Sequence, residues 1–158
     1  MAADLFEWIA AAPPAVALRR SALLYIAVNA AHILSIALLI GTILPLDLRL
    51  VGWFPSVPLA VIGPFLSAAA ATGLALAIVT GTLLFSVRPA EYAENPAFLA
   101  KLSIIALGIV NAALVHAGRG WRKALADEIA PSRIRIAAGI SAVAWITSLL
   151  AGRWIGFL

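Results

Sequence analysis

Residues 23–45 read LLYIAVNAAHILSIALLIGTILP, a run without a single charged side chain. A helix rises 1.5 Å per residue, so about 20 apolar residues cross the hydrocarbon of a bilayer. The stretch is long enough to span a membrane, and it carries His32 near its middle. With its flanks it forms a first span over about 21–45, and runs of the same kind follow at about 64–87, 96–118 and 133–156. Composition agrees: the chain is 64% hydrophobic and 11% charged, with a mean hydropathy of +1.07. A soluble domain of this size is about half apolar and a quarter charged. Short connections between four such spans predict one transmembrane domain over 1–158, an all-α integral membrane up-down four-helix bundle with short interfacial helices.

Local signals place the boundaries. Pro45 is expected to end the first span and Pro64 to stand in the first turn of the second. Asn95-Pro96 reads as a cap followed by a first-turn proline, and Ser132 after Pro131 as another cap. Residues 3–12 read as a short interfacial helix with Trp8 at the headgroups, cut off by Pro13-Pro14. Residues 88–95 read as a tight polar link. In 119–131, Trp121, Leu125 and Ile129 recur at four-residue spacing, which predicts a helix lying on the membrane surface. Gly73, Ala77 and Gly81, and likewise Ala144, Ser148 and Gly152, make small-residue stripes that let helices approach closely.

Charge and residue usage exclude several chemistries. The net charge is +4, but the basic residues flank the apolar runs, so the expected partner is the lipid bilayer and not nucleic acid. Their densest cluster lies in the connection between the third and fourth spans, which places that loop in the cytoplasm and both termini in the periplasm. Asp4 and Glu7 near the start do not read as a cleavable leader. There is no Cys, which excludes disulfides, iron–sulfur clusters and thiol catalysis. The single Met is the first residue, so a His/Met haem is not available.

The only two histidines, His32 and His116, both lie in membrane-spanning runs. An ionisable side chain there is a functional candidate by default. The first and third spans run parallel in an up-down bundle. From one side His32 lies 12 residues beyond Arg20 and His116 15 beyond Lys101, depths of about 18 and 22 Å. That permits, without requiring, one b-type haem held between both imidazoles as its metal ligands. Gly108 and Ala112 on the face of His116 would leave room for a macrocycle. Asn29 and Ser35, three residues either side of His32, would fix its ring or bind a propionate. Arg49, two residues after Asp47, reads as part of a membrane-surface charge pair or as the partner of a propionate or quinone carbonyl. Asn111 reads as an interhelical hydrogen-bond donor. No carboxylate is expected inside the membrane, which disfavours zinc, non-haem iron and transport.

The stretches AHILSIALLIGTILPLDLRLVGW, GTLLFSVRPAEYAENPAFLAKL, VNAALVH and SAVAWITSLLAGRWIGF resemble an uncharacterised bacterial inner-membrane family of this length. The residues carrying the resemblance are His32, Asp47, Arg49, Asn95, Pro96, Lys101, Asn111, His116, Gly152 and Arg153. It implies a multi-pass inner-membrane protein and no established activity. In outline the bundle is also similar to cytochromes of the b561 kind, although the second and fourth spans have no His, which limits the chain to one bis-His haem. The expectation is therefore an electron-transfer subunit working with a membrane protein partner, not a stand-alone enzyme. The alternative is a non-catalytic accessory subunit of a larger redox or photosynthetic complex that binds lipid or pigment.

Overall fold

A computed structural model describes residues 2–154. The predicted end of the last span, at 156, lies outside the described residues, as do the side chains of residues 2 and 3. The described residues form eight helices and no strand: α1 (Ala2–Ala11), α2 (Pro13–Arg20), α3 (Ala22–Val51), α4 (Leu59–Val87), α5 (Pro89–Glu94), α6 (Pro96–Ala117), α7 (Arg119–Asp127) and α8 (Ser132–Trp154). Of these, α3, α4, α6 and α8 are long and apolar enough to cross a membrane, which makes this a multi-pass membrane protein.

The boundaries follow the caps more closely than the prolines. Ser21 caps α3 by accepting from Leu24 N, and Asn95 caps α6 by accepting from Ala97 N and Phe98 N. Pro45 does not end α3. The helix runs through it to Val51 and stops at Gly52, whose φ of +117° suits a residue without a Cβ. Pro45 has no N–H, so the Gly41 carbonyl one turn earlier goes without its usual helical donor. Pro64 likewise lies inside α4, which begins at Leu59 behind Pro58. Ser132 is the first residue of α8. Pro13-Pro14 starts a second short helix, because prolines suit a first turn. The link at 88–95 contains α5.

In the membrane, lipid is as apolar as leucine, so helices associate where their backbones come close. Gly73 shows this directly. A Cβ there would stand 2.6 Å from Leu39 N and 3.0 Å from Ser35 O. The tightest helix pair is α3 on α4; α3 also packs on α8, and α8 on α6, while α3 and α6 are not extensive packing partners. The two ends of the bundle differ. At one end, Leu39, Ile43, Leu46 and Leu50 of α3 bury against Ile134 and Ala138 of α8, and Trp121 and Ala124 of α7 close over them. The helix α7 therefore caps the bundle through its Trp121 face and does not simply lie on the membrane. Glu128 turns left-handed (φ +59°), which leaves Ile129 exposed and off the predicted stripe. The other end gathers the starts of α3 and α6, the ends of α4 and α8, and α1, α2 and α5. There the Phe85 and Phe98 rings stack, and Tyr92 packs tilted against both. Exposed Trp8 and Trp154 flank this end and exposed Trp53 the other, the positions of interfacial aromatic belts.

Candidate functional site

The residues singled out in the sequence sort into two clusters, one at each end. His116 belongs to the end closed by α7. Its Nδ1 faces Ala112 O at 2.8 Å, and a carbonyl can only accept, so Nδ1 carries the proton. Its Nε2 then accepts from Ser67 Oγ on α4 at 3.1 Å, and the ring packs on Trp121 with centroids 4.7 Å apart. His32 belongs to the other end. Its Nδ1 lies 2.8 Å from Thr80 Oγ1, also on α4. The Thr80 hydroxyl already donates to Leu76 O at 2.7 Å, so the imidazole donates from Nδ1 to Thr80, and the Ala77 backbone is a further hydrogen-bond partner of this ring.

These partners set the distance between the two imidazoles. Thr80 and Ser67 are 13 residues apart on one helix, about 20 Å along its axis, and each imidazole sits within hydrogen-bond distance of its own partner. Axial ligands to one iron stand on opposite sides of a single macrocycle, so these two histidines do not share one. The other residues expected around a haem have different roles. Gly108 is filled by Trp145, whose ring would stand 3.2 Å from a Cβ there. Ala112 supplies the carbonyl to His116. Ser35 donates to Ala31 O of its own helix at 2.6 Å, and Asn29 is exposed on α3, so the His32 ring is oriented by Thr80 and not by either of them.

The closed end holds a group that was not expected there. Asp47 is only 3% exposed, inside the bundle and not on its surface. The Ser141 hydroxyl of α8 reaches its carboxyl group, while Oδ2 has no hydrogen-bond partner. Asp47, Ser141, Asn111 and His116 line one small cavity of about 20 Å³ between α3, α6 and α8. Asn111 is fixed by donating from Nδ2 to Ala137 O at 3.0 Å, as its sequence reading predicts, and its Oδ1 remains an acceptor. A space of this size holds one water molecule.

Arg49 is buried beside this site and does not pair with Asp47. It donates from Nε to Val57 O at 2.6 Å, and from Nη2 to Pro55 O, Glu128 O and Glu128 Oε2. The Glu128 carboxylate in turn accepts from Leu59 N and Ala60 N, the free amides at the start of α4. Those amides, and then the Arg49 guanidinium, hold the Glu128 carboxyl below the ordinary glutamate range. The clamp joins α3, α4 and α7, and it engages the guanidinium read from the sequence as a surface charge or as the partner of a propionate or quinone.

Asp47 was legible on one count. Ile43, Leu46, Asp47 and Leu50 fall on one helical stripe, and three of the four are core leucine or isoleucine. Ser141 is hidden in the same way on α8, among Ile134, Ala138 and Trp145.

Residues 5–158 match the model of a family of unknown function (DUF6644). The chain belongs to that family. Comparison with curated proteins and with solved structures finds no match. That match covers nearly the whole chain, and the likeness to b561-type cytochromes rests on bundle outline alone.

Proposed function

We propose that this protein is a non-catalytic subunit of the bacterial inner membrane that takes up and releases a proton at Asp47. The observation that carries the reading is the bare Oδ2 of a buried carboxyl, facing a water-sized cavity lined by Ser141, Asn111 and His116. A buried carboxylate with an unpaired oxygen is costly, and a proton removes the charge. The nearby guanidinium does not remove it, because Arg49 is engaged by Glu128 and the 52–58 turn. Neutral Asp47 has a hydroxyl to give, and the Asn111 Oδ1 and a cavity water are the kinds of acceptor that would take it. His116 stands between the cavity and the exterior, an exposed residue that also lines the site.

The basic residues Arg119, Arg122, Lys123, Arg133 and Arg135 cluster at this end, which supports an orientation with Asp47 toward the cytoplasm and both termini in the periplasm. Asn29, an amide exposed on a membrane-spanning helix, supports a protein neighbour, since such groups seek partners in other helices. The test is a proton-binding isotherm of the purified full-length protein against Asp47→Asn. The wild type is expected to bind one proton more across the titration. Superposable isotherms would refute the assignment.

A further inference from the structure

The α7 end carries a charged surface that the Asp47 site does not use. Burial of Trp121 and Ala124 seats α7 on the bundle and leaves Arg119, Arg122 and Lys123 exposed. Gly120 lies against α8, where a Cβ would stand 3.1 Å from Ile134 Cδ1. The first turn of α7 is thereby held beside the first turn of α8, which bears Arg133 and Arg135, both exposed. Arg135 donates from Nε to Val51 O at 3.0 Å. The other four cations have no hydrogen bond or ion pair to any described residue. Asp127 is the exposed acid on this surface, since Glu128 is engaged by Arg49 and the α4 amides. The opposite end is different. Four acids, Asp4, Glu7, Glu91 and Glu94, stand among its bases, and Arg88 pairs with Glu91 at 3.2 Å.

Two aromatic side chains set the depth of this surface. Trp53 and Phe54 are exposed in the turn after α3. Arg135 reaches that turn, with its Nη2 3.2 Å from a Cβ placed on Gly52. Exposed aromatic rings at the end of a spanning helix belong to the headgroup layer of a bilayer. The adjoining cations therefore lie at the level of lipid phosphates and not in the water beyond.

We infer that the α7 end binds anionic phospholipid, whose phosphate groups are held by Arg119, Arg122, Lys123, Arg133 and Arg135. Unneutralised cations at phosphate depth draw counter-ions, and the lipid of their own leaflet supplies them at high local concentration. A guanidinium also reaches two oxygens of one phosphate. A zwitterionic headgroup brings its own cation and is the weaker partner. Because the cations come from both α7 and α8, a bound headgroup ties the cap to the bundle and strengthens the closure over Asp47.

The test uses full-length protein in detergent, with lipid retention read by native mass spectrometry. The probes are phosphatidylglycerol, phosphatidylcholine with the same acyl chains, and glycerophosphoglycerol, the anionic headgroup without chains. Wild type is expected to retain phosphatidylglycerol over phosphatidylcholine, with a preference that falls as salt rises. Glycerophosphoglycerol should not compete. Each cation removed should weaken phosphatidylglycerol binding about fivefold at low salt, so Arg122→Gln alone is measurable. The triple variant Arg119→Gln, Arg122→Gln, Lys123→Gln should lose the preference while holding phosphatidylcholine as before. Arg20→Gln, an exposed base at the opposite end, should change nothing. Phosphatidylglycerol should also slow amide exchange along α7 in the wild type and not in the triple variant. Asp47→Asn should bind as wild type does, so this inference and the proton reading fail separately. Equal retention of the two lipids, or an undiminished preference in the triple variant, overturns the inference. So does an equal loss in Arg20→Gln, or competition by glycerophosphoglycerol, which would mark a soluble anionic partner.

Discussion

The two histidines touch the same helix, α4, and live in opposite surroundings. At the α7 end, His116 has both ring nitrogens engaged, and the unsatisfied group is a neighbouring carboxyl oxygen. At the other end, Thr80 holds the Nδ1 of His32. One end is closed, capped and centred on an acid. The other gathers the aromatic rings of Phe85, Tyr92 and Phe98 and holds its histidine on Thr80. The lesson is that a histidine in a hydrocarbon span does not announce its role. The role follows from which of its nitrogens already has a partner and which uncommitted groups stand nearby.

The largest effect would come from breaking that separation outright. Expressed with ample haem, the protein is expected to show no low-spin bis-histidine spectrum. Such a spectrum, lost on both His32→Ala and His116→Ala, would mean that the two ends meet after all. Next is the waist between the ends, where Gly73 lies against the Ser35–Leu39 backbone. Gly73→Ala should destabilise the bundle by about 3 kcal/mol in denaturant unfolding, since backbone cannot yield as a side chain can. Gly139→Ala meets nothing within 4 Å and should shift stability by less than about 0.5 kcal/mol. Equal effects would show that the α3–α4 contact is looser than described.

Within the closed end, Arg49 and Asp47 should respond with opposite signs. Arg49→Met removes donors from Val57 O and Glu128 and should cost about 2 kcal/mol, less than a fully buried pair because the Glu128 side chain is 42% exposed. Asp47→Leu removes a carboxyl with a bare oxygen and should be neutral or stabilising by about 1 kcal/mol. A loss from both would make Asp47 a structural residue.

The smallest effect belongs to Glu128. Its carboxyl is held below the ordinary glutamate value in the folded state, so the stability it lends is fully present above that value, about 4.3. It is lost as pH falls through the depressed folded value. Acidification below that range should therefore lower the protection of the Leu59 and Ala60 amides relative to their intrinsic exchange rates, and Glu128→Gln should mimic the change at neutral pH. Exchange independent of both would remove the clamp from the account.

The four spans were legible because hydropathy and length leave little choice for a run such as 23–45. The Asn95 cap was legible because its amide oxygen has a fixed job. What sequence spacing did not give was depth. Asp47 and Arg49 look like a surface pair beside Pro45, and they are buried because α3 continues past that proline under α7. The partners of the histidines were hidden for a related reason. Counting residues from one end of the spans put His32 and His116 about 18 and 22 Å deep, and it could not show that Thr80 and Ser67, at different heights on α4, would each take one of them. Thr80, Ser67 and Ser141 carried no signal, being ordinary hydroxyls in apolar helices.

The account turns on whether Asp47 holds a proton. Infrared difference spectroscopy across a pH step reads this directly, through the carbonyl stretch of a protonated carboxyl group. The wild type is expected to show such a band, shifted in D₂O and altered in Ser141→Ala, and Asp47→Asn to lack it. A band that survives in Asp47→Asn, or a wild type without one at any pH at which the bundle is folded, would contradict the central claim.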